Sequence, residues 1–240
     1  MDLNKVFSYQ FEDKQWISKL GLAAIILFVP VLNFALSGYM IGVMRNVMDK
    51  SAEPLPNWDD LGKKFTDGLI LVAARLIYSL PLIIIFMPIG IIVISALVSG
   101  NHNLQEIGKL MAGVGGILLF CSLCFLIIYS LALSIIFPVI EVVFAREHTF
   151  RSCFKFKQAF NMVSRNAGPF FTAWIVSFGA GAIVGLIVGF INLLVGWIPC
   201  FGWIVSIIVI LAPSIYLATV SANLFGQFGL VAFGKDQPVG

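Results

Sequence analysis

Four apolar runs, residues 69–98, 110–137, 170–194 and 203–228, constrain this chain more than any other feature. Each is longer than the ~20 residues that a helix needs to cross the ~30 Å hydrocarbon core of a bilayer. In lipid the backbone must satisfy its own hydrogen bonds, so such runs are read as helices. The remainder agrees: 60% of the 240 residues are hydrophobic and 11% charged, with a mean hydropathy of +1.00. One water-soluble core of that composition would lack the polar surface to cover it. The expected fold is therefore an all-α integral membrane protein. It has four transmembrane helices, an N-terminal membrane-embedded helix or re-entrant hairpin, and cytoplasmic interfacial amphipathic helices, all in a single membrane domain over residues 1–240.

The first membrane segment, residues 17–44, is interrupted by Pro30-Val31-Leu32-Asn33. A proline removes a backbone donor and an asparagine at depth needs partners, so the interruption is a kink or the tip of a hairpin. Two arms of about thirteen residues would reach only about 20 Å. A hairpin would then be re-entrant, with its tip buried in protein. The leader before it mixes Phe7, Tyr9, Phe11 and Trp16 with Lys5, Glu12, Asp13, Lys14 and Lys19, a composition suited to the headgroup zone. Its acidic residues argue against a cleaved signal peptide.

Charge orients the spans. With four later crossings, one face carries ten basic residues: Arg45, Lys50, Lys63, Lys64, Arg146, Arg151, Lys155, Lys157, Arg165 and Lys235. The opposite turns carry only Lys109. By the positive-inside rule the basic face, including the C-terminus, is cytoplasmic. The net charge of +3 sits between apolar runs and is read as topology, with no nucleic-acid partner expected.

Between the membrane segments lie two polar stretches. The linker over residues 45–68 reads as extended Glu53-Pro54-Leu55-Pro56 followed by a short in-plane helix. Asn57 is its expected N-cap, with Asp59 and Asp60 in its first turn and Trp58, Leu61 and Phe65 on one face. In the stretch 141–166, Cys153, Phe156, Ala159, Phe160 and Val163 share one helical face. Arg151, Lys155, Lys157 and Arg165 are the candidate contacts to anionic lipid.

Two features concern packing. Ala173, Ser177, Gly181, Gly185 and Gly189 place a small residue at every fourth position, a stripe for close helix contact in the same chain or with another copy. Arg75 and Glu141 stand within apolar sequence and are read either as an intramembrane ion pair or as a snorkelling arginine beside a glutamate beyond the core.

No reaction is legible. Cys121 and Cys124 lack two further metal ligands, and His102 and His148 have no catalytic context. No cofactor or metal is expected, and the chain is read as non-enzymatic.

Trp16, Pro30, Asn33, Gly38-Tyr39, Arg45, Leu55-Pro56 with Trp58-Asp59-Asp60, Phe65, Asp67-Gly68-Leu69, the segment FKFKQAFNMVSRN and the closing ANLFGQ carry a resemblance. Together they resemble the prokaryotic multi-pass membrane family catalogued as domain of unknown function 4013, over nearly the whole chain. The resemblance implies a bacterial or archaeal inner-membrane protein and supplies no catalytic residues. A looser likeness is to membrane domains attached to lipid phosphodiesterases, whose catalytic domain is not present here. The expected role is to organise lipid or partner proteins, including other copies of itself. The rival reading is a small permease or ion pathway built around helices broken at Pro30, Pro81 and Pro88.

Overall fold

The computed structural model describes residues 2–98, 114–198 and 201–234, and no strand occurs among them. A short α1 (Leu3–Val6) and a 3-10 turn (Tyr9–Glu12) precede α2 (Trp16–Phe28) and α3 (Asn33–Met48). The long helices are α4 (Leu61–Val98), α5 (Val114–Glu147), α7 (Ala167–Val195) and α8 (Phe201–Gly234). A second 3-10 turn (Phe150–Phe154) and α6 (Phe156–Arg165) lie between α5 and α7. Each long helix contains a stretch long and apolar enough to cross a membrane: Leu61–Met87, Phe120–Glu147, Ala167–Val195 and Gly202–Gly234. The expected turn around His102 and Lys109 lies outside the described residues, as do Pro199, Cys200 and Lys235.

Contacts divide the chain into two compact units. One comprises Met1–Val72 with Pro138–Gly240, the other Ala73–Phe137. In the second unit the Tyr129 hydroxyl donates to the Tyr78 carbonyl at 2.7 Å, and the Tyr78 ring meets Phe137 edge-on. These contacts tie the two helical stretches of that unit together.

The first unit contains the polar elements. Its centre is α8, against which α3 and α7 pack. Glycines set the spacing of α3 and α8: a Cβ on Gly226 would lie 2.9 Å from Val47, and one on Gly229 would lie 2.6 Å from the Met48 sulfur and 2.8 Å from Val142 of α5. The first turns of α4 cross α3 at backbone contact. A Cβ on Gly38 would overlap the Lys64 carbonyl, and one on Gly68 would overlap the Phe34 carbonyl. Small residues thus let backbones approach, as in membrane helix pairs generally.

The leader folds onto α8. Asp2 N–H donates to Gln227 Oε1, the Tyr9 hydroxyl to the Thr219 carbonyl and the Tyr216 hydroxyl to the Phe7 carbonyl, each at 2.8 Å. Val6, Tyr9 and Gln10 are buried there, while Phe7 and Phe11 remain exposed.

The first membrane segment is a pair of short helices, α2 and α3, packed against each other across a four-residue turn. At 1.5 Å per residue their 13 and 16 residues give about 20 and 24 Å, less than the hydrocarbon thickness. The expectation that such a tip must be buried in protein is corrected: Phe28, Val29, Val31 and Leu32 are exposed. The physical reason is local. Val29 N–H bonds to Ile26, Asn33 N–H to Val29 and Ala35 N–H to Leu32, and Pro30 has no donor to satisfy. Part of the turn's hydrogen bonding is thus closed on itself, which lowers the cost of leaving the tip uncovered by the rest of the chain.

Two boundaries also differ from the sequence reading. No separate in-plane helix starts at Asn57. Residues 51–60 are non-helical and α4 begins at Leu61, because Asp60 Oδ1 accepts from Lys63 N–H and acts as the cap. At the other end, α5 runs through Pro138 to Glu147, so residues 141–147 continue a spanning helix.

Candidate lipid-contact site at the polar end

All of the geometry here belongs to the first unit. Arg45 of α3 pairs with Asp67 of α4 at 3.0 Å and donates through Nε to the Ala145 carbonyl of α5 at 3.0 Å. Those bonds bring the linker end of α3, the start of α4 and the end of α5 together. Gly226 and Gly229 add the end of α8, and the Phe170–Phe228 contact adds the start of α7. The polar linker, the basic segment and the last turns of α8 therefore share one end.

A second ion pair lies under the linker. Lys19 Nζ is 2.7 Å from Asp13 Oδ2, with side chains 5% and 4% exposed. It also donates to the Leu55 carbonyl at 3.0 Å, while the Lys19 carbonyl accepts from Trp58 Nε1 at 2.9 Å. The Trp58 ring stacks on Tyr39 with centroids 4.4 Å apart. A Cβ on Gly42 would touch the Pro56 ring at 3.0 Å, so Pro56 closes over α3 at a glycine. Leu55, Pro56 and Trp58 therefore form an ordered cap, whereas Asp59 and Asp60 are both exposed, Asp60 capping α4 through the Lys63 N–H. Neither Lys19–Asp13 nor Arg45–Asp67 was anticipated as a pair. Arg45 and Asp67 stand on different helices, and spacing along the chain carries no signal of their meeting, whereas Asp13 lies six residues before Lys19 at the start of α2.

Beside this cap, α6 makes a basic groove. Lys155, Lys157, Gln158, Asn161, Met162, Arg165 and Asn166 of the α6 region, with Ala232 of α8, line a cavity of about 710 Å³. On the 3.6-residue period, Ala159 and Met162 form the buried face of α6, and Gln158, Asn161 and Arg165 form one flank. Phe156 and Phe160 form the other flank and are 53% and 73% exposed. The expected apolar face is thus rotated: Cys153 and Ala159 pack inward, but both phenylalanines face away from protein. Bulk explains this, since small Ala159 fits a close-packed buried face where a phenylalanine would not. Of the four candidate lipid contacts, Lys155, Lys157 and Arg165 line the groove. Arg151 is exposed on the 3-10 turn and is not among its lining residues. Lys155 Nζ also bonds Glu147 at 2.6 Å.

Burial pushes the Cys153 thiol up to about 11, with the nearby Glu141 charge adding to the effect. His148 is shifted downward, first by burial and then by Arg45. Neither shift prepares a nucleophile. Among the described residues no three His, Cys, Asp or Glu side chains gather as a metal site.

The remaining predicted residues do not line the groove. Ala173 is fully buried, and Ser177 has a buried hydroxyl with no hydrogen-bond partner among the described residues. At Gly181, Gly185 and Gly189 an added Cβ would meet nothing within 4 Å. The lower stripe is therefore free of close contact within the described chain. Arg75 is exposed in the second unit, and Glu141 is half-buried in the first.

Long apolar helices held at one end by a capped, charged layer define a multi-pass helical membrane protein. The chain belongs to the family described as protein of unknown function (DUF4013), which it matches over residues 20–193. An uncharacterised protein of Methanocaldococcus jannaschii is similar, 27% identical over 140 residues. That match covers 58% of this chain and 44% of the relative's length. No solved structure matches.

Proposed function

We propose that the chain is a non-enzymatic, lipid-organising protein of the prokaryotic inner membrane, with its polar end and C-terminus cytoplasmic. Its groove on α6 holds the phosphate of an anionic phospholipid. The observation that carries this reading is the groove itself: Lys155, Lys157 and Arg165 with Gln158 and Asn161 around about 710 Å³, at the end of the spanning helices. Cations at that level attract anionic headgroups, and amide side chains supply further hydrogen bonds to phosphate oxygens. Phe156 and Phe160 on the opposite flank suit the acyl boundary, as in a helix lying in the interface.

Native mass spectrometry of the protein released from nanodiscs of mixed zwitterionic and anionic lipid tests it. The wild type should retain anionic lipid selectively, and Lys157→Ala with Arg165→Ala should lose that selectivity. Equal retention by both would overturn the assignment. Substrate-dependent flux in liposomes, lost on Glu141→Gln, would instead support the permease reading.

A further inference from the structure

The α6 groove holds a buried acceptor that its cations do not satisfy. Asn166 lines the groove and is 4% exposed, yet its Oδ1 has no hydrogen-bond partner among the described residues. Buried polar atoms are paired in the great majority of cases, so an unpaired one beside a cavity calls for a donor from outside the chain. The local sequence explains why it is unpaired. Asn166 is the N-cap of α7, where an asparagine oxygen ordinarily accepts from the second or third N–H of the helix. The third residue is Pro169, which has no N–H, and no side-chain cap bond is made. The amide turns back instead, and Nδ2 donates to the Met162 carbonyl at 3.2 Å. That bond fixes which end is oxygen, because a flipped amide would set its oxygen against a carbonyl.

The groove thus asks two things of a ligand. Lys157 and Arg165, with Gln158 and Asn161, present donors, which suit phosphate oxygens. Asn166 Oδ1 needs a donor, which a phosphodiester, carrying no proton at neutral pH, does not supply. An ammonium group would supply one but is repelled by the same cations. A hydroxyl donates without charge. We infer, resting on the anionic-lipid reading of this groove, that its ligand is a phospholipid with a polyol headgroup of the glycerol type. The phosphodiester lies on Lys157 and Arg165, and a headgroup hydroxyl donates to Asn166 Oδ1. Met162 and Ala232, both buried, add apolar lining for the polyol carbons. The volume of about 710 Å³ accommodates such a headgroup.

The test sets phosphatidylglycerol against phosphatidylmethanol, a diester of the same charge without the hydroxyls. The full chain is released from nanodiscs holding equal amounts of both in phosphatidylcholine, and native mass spectrometry reads the retained lipid. The wild type should retain phosphatidylglycerol over phosphatidylmethanol by roughly three- to tenfold, the worth of one hydrogen bond. Asn166→Ala should bring that ratio towards one, while both anionic lipids stay ahead of phosphatidylcholine. The wild-type comparison changes only the lipid, so it decides the matter even if the variant folds poorly. Equal retention of the two anionic lipids by the wild type, as expected if a water serves Oδ1, would overturn the inference and leave the phosphate assignment standing. An unchanged ratio in a folded Asn166→Ala would also overturn it, by placing hydroxyl recognition elsewhere. No preference for either anionic lipid over phosphatidylcholine would overturn the phosphate assignment, and the inference with it. Free glycerol phosphate, added in excess and retained in place of lipid, would assign the same chemistry to a soluble ester and overturn the phospholipid as its source.

Discussion

Replacing Lys19 by methionine removes the charge that neutralises Asp13 while keeping most of the side-chain volume. The Asp13 carboxylate is almost fully buried and would retain only the Gln15 N–H, whose bond to Oδ1 is 2.8 Å. Breaking one side of a buried ion pair costs about 3–5 kcal/mol, because the surviving charge stays out of water. The Leu55 carbonyl loses its Lys19 donor as well, a contribution of about 1 kcal/mol within that range. Adding Asp13→Asn removes the stranded charge. The double variant should then recover about 2–3 kcal/mol, leaving mainly the lost hydrogen bond to Leu55. Unfolding by titrated SDS in mixed micelles, followed by helix content, measures the global loss. Tryptophan fluorescence adds a local signal, since Trp58 bonds the Lys19 carbonyl and stacks on Tyr39. The losses should hardly change with salt, because the pair is shielded from counterions. A double variant as unstable as Lys19→Met alone would refute the buried-pair reasoning.

Two leucine substitutions separate the real crossing from the apparent stripe. Gly68→Leu must push the Phe34 carbonyl away and should cost about 3 kcal/mol or more, whereas Gly185→Leu should alter stability within about 0.5 kcal/mol, both read by the same titration. The amide of Gln10 is fully buried with neither polar atom partnered among the described residues, so Gln10→Met should stabilise by about 1–3 kcal/mol. For Cys153 the folded thiol ionises only near 11, against an ordinary 9.0. Above pH 9 the unfolded chain then holds fewer protons, and stability should fall with rising pH until about 11. Cys153→Ala should remove that part of the alkaline loss, and a maleimide should leave Cys153 of the folded protein unmodified at neutral pH.

The sequence was most informative where composition and local spacing settle the matter. The four apolar runs could satisfy their backbones in lipid only as helices. Pro30 marked the break between α2 and α3, and the spacing of Phe156, Ala159, Phe160 and Val163 marked the helix that α6 forms. Faces were harder to assign. The pattern put Phe156 and Phe160 with Ala159, yet which arc packs inward depends on the space left by α7. Spacing likewise made Gly181, Gly185 and Gly189 look like a contact stripe. A four-residue period shows that residues share a face, not that another helix lies against it.

What the sequence determined by itself is the class of molecule, because hydropathy, helix length and lysine and arginine bias act through local interactions with lipid and water. Tertiary structure alone decided what the polar interruption does. Arg45 with Asp67, Lys19 with the Leu55 carbonyl, and Gly38 with Gly68 come from separate elements. Each meeting depends on how those elements cross, a relation that no single segment encodes. Desolvation requires the buried charges to be compensated, but the long-range fold selects their partners.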